Sequence, residues 1–129
     1  MFPKFALADF DEIKCQLRWF KLIIDNKCSF DLFCEEIEKE GNLRTQLKRV
    51  MMLMEQFGNG LKLPQTKLKL IGRINRINLF EIKTHDLRIY FIRDNTGAIV
   101  MLGGKKSTQK HDINRFRNLA IEYIKEKEI

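Results

Sequence analysis

The apolar side chains of this chain change their spacing partway along, and that change limits the fold more than any other feature. Between residues 29 and 58 they recur every three or four positions; between residues 68 and 102 they recur every second one. The first spacing is that of helices with one buried stripe and the second that of strands with one buried face, so the chain reads as an α+β domain. Ser29 can cap a helix in which Phe30, Phe33, Cys34 and Ile37 share a face and Gly41 supplies the stop. Asn42 can cap a second, with Leu43, Leu47, Val50, Met51 and Met54 as its stripe and Phe57-Gly58 as its end. The two would form a helical hairpin. Before them, Ile13, Cys15, Leu17, Trp19 and Ile23 alternate with Lys14, Gln16 and Arg18, which predicts a strand over Ile13–Ile24.

After the hairpin, Leu68 and Leu70, Phe80 and Ile82, Leu87, Ile89 and Phe91, and Ala98, Val100 and Leu102 mark short strands. Asp94-Asn95-Thr96-Gly97 has the chemistry of a tight turn, so a meander is the simplest connection. Asp112 can cap a last helix in which Ile113, Phe116, Ala120, Tyr123, Ile124 and the stem of Lys127 share a face. The expected architecture is an N-terminal strand, a two-helix hairpin, an antiparallel sheet of about four strands and a C-terminal helix, with the helices on one side of the sheet. At 129 residues, with no repeat, linker or low-complexity tract, residues 1–129 should form a single domain.

Charge narrows the partner. Residues 1–40 carry six basic and nine acidic side chains, a balance of −3, whereas residues 41–129 carry eighteen and eight, a balance of +10. A polyanion is the partner such a surface favours. There is no secretory signal pattern and no apolar run long enough for a membrane span, so a soluble, cytoplasmic protein without membrane contact is expected. Cys15, Cys28 and Cys34 lack metal-ligand spacing, and His85 and His111 are remote from them; reduced core thiols, no metal and no cofactor follow.

Strand parity then picks candidate site residues. If Phe80 and Ile82 face the core, Glu81, Lys83 and His85 point the other way; if Leu87, Ile89 and Phe91 face it, Arg88 and Tyr90 join Lys83 on one exposed sheet face. Gly103-Gly104 leads into the basic segment Lys105, Lys106, Ser107, Thr108, Gln109 and Lys110. Several cations, a phenol and an imidazole, with no carboxylate pair, suit metal-free RNA cleavage. In that reaction the 2′-hydroxyl attacks the adjacent phosphate, cations stabilise the phosphorane, and an acid protonates the departing 5′-oxygen. Each residue also has a plain structural use: strand cations solubilise, a strand tyrosine packs, and a His-Asp pair makes a polar turn. No GxSxG, GxGxxG or GxxxxGK[ST] motif is present.

The segments Leu79-Phe80-Glu81-Ile82-Lys83, Arg88-Ile89-Tyr90-Phe91 and Gly103-Gly104-Lys105-Lys106-Ser107-Thr108-Gln109-Lys110-His111-Asp112-Ile113 resemble, in order and spacing, the RelE/HigB-type toxins of bacterial toxin–antitoxin modules, in the branch of addiction-module killer proteins. The resemblance covers about residues 67–125. It implies a RelE-like fold and a toxin that enters the ribosomal A site beside 16S ribosomal RNA and cuts mRNA there without a metal. A cognate helix-turn-helix antitoxin would neutralise it. It also implies roles: Lys83, standing where the family has Arg, would contact phosphate; Arg88 would stabilise transition-state charge; Tyr90 would orient or deprotonate the 2′-hydroxyl; Lys106 would bind phosphate or exchange a proton. Lys105, Lys110, His85, Arg73 and Arg76 would make further RNA contacts. Thr84-His85-Asp86-Leu87 replaces the family's glycine-rich approach to the R-x-Y strand, and Lys83 lacks the two-pronged phosphate grip of Arg. The alternative readings are a non-catalytic basic nucleic-acid-binding module or regulator, and a small protein that docks an acidic partner.

Overall fold

A computed structural model describes residues 4–127. In it the strand-forming segments build a single mixed sheet of six strands: β1 (Phe5–Asp9), β2 (Trp19–Ile24), β3 (Leu68–Ile74), β4 (Ile77–Lys83), β5 (Leu87–Arg93) and β6 (Ala98–Lys105). Helices α1 (Ser29–Glu40) and α2 (Arg44–Gly58) follow β2, and a short 3₁₀ turn at Lys106–Thr108 leads into α3 (Gln109–Lys127). The strand order is β1-β2-β6-β5-β4-β3. From β3 to β6 the chain is an antiparallel meander, as the turn chemistry predicts, with Asp94 Oδ1 accepting the amides of Thr96 and Gly97 in the last turn. The returning β6 then lies parallel to β2, with Trp19 opposite Ala98 and Lys21 opposite Val100.

Four expectations need correction. The sheet has six strands and is mixed, because β2 borders the end of the meander and β1 adds an antiparallel edge, Phe5 opposite Ile24. The alternation over residues 13–17 is not a strand: β2 begins only at Trp19, and Ile13 is buried from a loop whose Gln16 and Leu17 amides donate to Asn59 and Gly58 at the end of α2 instead of to a strand. Leu102 does not continue the face of Ala98 and Val100, since a bulge at Met101 turns it to the opposite side. Finally, the helices are not all on one side. α1 and α2 cover the face carrying Ile82, Leu87, Ile89, Phe91 and Val100, whereas α3 covers the face carrying Leu79, Tyr90, Ile92, Ile99 and Leu102.

The helix stripes follow the sequence closely: α1 buries Phe30, Phe33 and Ile37, α2 buries Leu47, Val50, Leu53 and Met54, and α3 buries Phe116, Ala120, Tyr123 and Ile124. Gly41 ends α1 with φ 84°, a backbone conformation that glycine enters without a Cβ clash. The expected caps do not form. Cys28 and Leu43 precede α1 and α2, and neither donates a side-chain cap, so packing rather than capping holds these helices. Gly103 and Gly104 let a helix approach β6 from each side: a Cβ on Gly103 would strike the Phe33 ring of α1, and one on Gly104 would strike the Asp112 carboxylate of α3.

The α1/α2 core centres on an aromatic cluster. Phe91 stacks on Phe80 at 5.2 Å between centroids and meets Trp19 at 4.8 Å and Phe57 at 5.3 Å. Phe91→Ala should lower the unfolding free energy by about 3–5 kcal/mol, read from urea denaturation, because it opens a cavity between a central strand and α2.

Candidate nucleic-acid interface

Ladder register brings the motif residues into rows across the sheet. Lys83 pairs with Arg88, and Arg88 with Gly104. On the other side, the Lys83 amide donates to the carbonyl of Lys67 at 2.9 Å, extending the β3·β4 ladder one residue beyond Leu68. Residues opposite each other in a ladder share a face, so Lys67, Lys83 and Arg88 form one row. At the usual strand spacing they lie within about 10 Å of one another. The next row is Lys69, Glu81, Tyr90 and Leu102. Lys67 and Lys69 escaped the sequence reading, although their alternation with Leu68 and Leu70 carried the signal.

This face is not the open surface expected for it, since α3 lies on it. Tyr90 is wholly buried, its ring 5.4 Å from that of Phe116, and Glu81 and Arg88 are 1% and 6% exposed. Arg88 Nη1 donates to the carbonyls of Thr84 and Leu87 at 2.7 and 2.9 Å. Gln109 Nε2 donates to Glu81 Oε2 at 2.8 Å, tying the start of α3 to β4, and Thr108 donates its hydroxyl to Asp112 Oδ2 at 2.6 Å. Asp112 is therefore a buried member of this layer, not the helix cap the sequence suggested. Burial, reinforced by the Glu81 carboxylate, pushes the Tyr90 phenol far above its ordinary pKa. Its oxygen and Arg88 Nε find no hydrogen-bond partner. A side chain so enclosed cannot touch a substrate while α3 is seated.

The accessible chemistry sits on the rim. Lys83 is half-buried, Lys106 and Lys110 are exposed, and Lys83, Lys67 and Lys110 enter no salt bridge among the described residues. Lys105 is tied to Glu40 of α1 at 2.9 Å. Arg73 and Arg76 do not join the group. They lie at the opposite end of the β3–β4 hairpin, about 20 Å of strand from Lys83, Arg73 donating to Asn78 and Arg76 standing in the turn at φ 71°.

Between β4 and β5, the turn Thr84–Leu87 is clamped by one amide of α2. Gln46 Oε1 accepts from the Thr84 hydroxyl and the Asp86 amide, both at 2.7 Å, and Gln46 Nε2 donates to Asp86 Oδ2 at 2.8 Å. Asp86 Oδ1 meets His85 Nδ1 at 3.2 Å, and the His85 side chain is 83% exposed. The Gln46 bond, then the His85 bond, holds the Asp86 carboxyl below its ordinary pKa, so it is ionised at neutral pH. The Lys106 amide donates to the Asp86 carbonyl, which joins the 3₁₀ turn to this loop. A cavity of about 490 Å³ opens beside them, lined by Asn42, Leu43, Asp86, Lys105, Lys106 and Ser107.

Cys28 and Cys34 are poor nucleophiles, since burial pushes Cys34 up to about 12 and raises Cys28. Among the described residues no group of three or more His, Cys, Asp or Glu is placed to hold a metal ion, and no helix is long and apolar enough to cross a membrane.

Tyr90→Phe removes a buried hydroxyl that lacks a hydrogen-bond partner and keeps the ring packing. The variant should fold normally and unfold at an equal or higher urea concentration, with a gain of about 1 kcal/mol.

Compared with known proteins, the chain matches no family model, no curated protein and no solved structure.

Proposed function

We propose that this protein is the toxin of a toxin–antitoxin pair, an endoribonuclease of the RelE/HigB type that cuts mRNA in the ribosomal A site without a metal. The observation that carries the reading is convergence: three motifs distant in sequence meet at one end of the sheet. Lys83 stands opposite Arg88, Arg88 opposite Gly104, and Lys106 bonds to the loop that joins the first two. Lys67, Lys83, Lys106 and Lys110 then form a cationic rim suited to a phosphate backbone, with the Arg88 charge fixed just behind it. Phosphate binding by these groups and stabilisation of the pentacoordinate phosphorane are the same electrostatic task, strengthened where water is excluded. The partners in this reading are mRNA, 16S ribosomal RNA and a helix-turn-helix antitoxin, all in the cytoplasm. Tyr90 serves chiefly to seat α3, and proton transfer belongs to exposed groups.

A second reading, a non-catalytic RNA-binding module, is favoured by the burial of Tyr90 and Arg88, two of the four residues to which the resemblance assigns the chemistry. Cleavage of end-labelled mRNA in a stalled ribosomal complex with an empty A site, in EDTA, separates the two. The toxin reading expects wild type to cut, Lys106→Ala to lose roughly 10²-fold or more, and Tyr90→Phe to keep most activity. Loss of cutting in folded Tyr90→Phe would mean that α3 leaves this face during the reaction. If wild type binds RNA yet never cuts, the binding module replaces the toxin. In either case Lys67→Ala and Lys83→Ala should each reduce the salt dependence of single-stranded RNA binding by about 0.7 in log–log slope.

A further inference from the structure

Resting on the nuclease reading, we propose that His85 is the catalytic base of the reaction and that Asp86 is its positioning residue. The pair lies at the tip of the β4–β5 turn, the one part of the motif cluster that is both exposed and rigidly held. Rigidity comes from the Gln46 clamp, with three hydrogen bonds of 2.7–2.8 Å to Thr84 and Asp86, and from the Lys106 amide bond to the Asp86 carbonyl. With Asp86 Oδ1 at 3.2 Å, the imidazole carries its proton on Nδ1, which leaves the Nε2 lone pair on an exposed ring. An orienting carboxylate behind an imidazole is the arrangement that holds a base in its reactive tautomer.

The surroundings supply the rest. The Arg88 charge lies three residues along the chain, Lys83 two residues before His85, and Lys106 at the far side of the loop. The cavity lined by Asp86, Lys105 and Lys106 has the size of a small-ligand pocket and lies one residue along the turn from His85. His85 pairs with Asp86 on its own turn, Lys106 from the 3₁₀ turn bonds through its amide to the Asp86 carbonyl and acts with its charge on the Asp86 carboxylate, and α2 meets the turn through the neutral Gln46 amide.

In this scheme Nε2 takes the proton of the RNA 2′-hydroxyl as that oxygen bonds to phosphorus. The bond from phosphorus to the 5′-oxygen breaks, and the Lys106 ammonium gives that oxygen a proton. The products are a 2′,3′-cyclic phosphate and a free 5′-hydroxyl. His85 leaves as imidazolium and Lys106 as amine, and exchange with water restores both.

The test is the pH profile of single-turnover mRNA cleavage on ribosomes for wild type, His85→Gln, His85→Ala and Asp86→Asn, with folding checked by urea denaturation. Wild-type cleavage should rise with pH to a plateau, as a base that must be unprotonated requires. His85→Gln should lose roughly 10²–10⁴-fold together with that rising limb, and added imidazole should restore part of the rate to His85→Ala. Asp86→Asn should lose less, and should cost nothing further in the His85→Gln background; a merely structural Asp86 would cost the same in both. If wild type cleaves and folded His85→Gln cleaves at the same rate with the same profile, the assignment is wrong while the nuclease reading stands. If wild type does not cleave at all, both fall.

Discussion

The antiparallel pair β5·β6 lies at the centre of the sheet, and every other element answers to it. Both strands have neighbours on each edge, and both are buried on both faces over nearly their whole length. Such a pair cannot turn one side to water, so each face needs its own helical layer. α1 and α2 fill one side with an aromatic core built on Phe91, and α3 fills the other with Phe116, Tyr123 and Ile124 against Tyr90, Ile92 and Ile99. Gly103 and Gly104 mark where the two layers come closest, one helix side chain resting on each glycine from opposite sides.

This sandwich divides the polar residues of the motif cluster into two populations. Glu81, Arg88, Tyr90 and Asp112 fall under α3 and become an internal layer, held by Gln109 on Glu81, Thr108 on Asp112 and main-chain carbonyls on Arg88. Two of its atoms stay unpaired, a cost of order 1–3 kcal/mol each that the surrounding apolar packing offsets. Lys67, Lys83, His85 and Lys106 fall beyond the edge of α3, and Lys110 stands on its exposed first turn; all five keep contact with water. The boundary runs within the row of Lys67, Lys83 and Arg88: Arg88 on central β5 is buried, whereas Lys83 and Lys67, toward the β3 edge of the sheet, are only half-buried.

Much of this was legible in the chain. The two-residue period of Phe80, Ile82, Leu87, Ile89 and Phe91 assigns their face correctly, and with it the shared opposite face of Lys83, Arg88 and Tyr90. The helix stripes were equally plain. The misreadings have a common origin. Alternation at Ile13, Cys15 and Leu17 reports burial of alternate side chains, which a loop pressed on a core produces as well as a strand. The stripe of α3 reports that the helix has a buried side, and nothing in its period says which sheet face it covers. Gln46 could not be tied to the His85 turn because the two are forty positions apart and meet only through tertiary packing.

What the sequence determined alone is the local chemistry: which residues can form helices or strands, which side chains share a face, and that basic charge collects in the later two thirds of the chain. The tertiary structure decided which of those faces met water. Periodicity is a property of neighbouring residues, whereas the coverage of a sheet face depends on how all the elements share one volume. That sharing enclosed Tyr90 and Arg88 beneath α3 and left His85, braced by Asp86 and Gln46, at the surface.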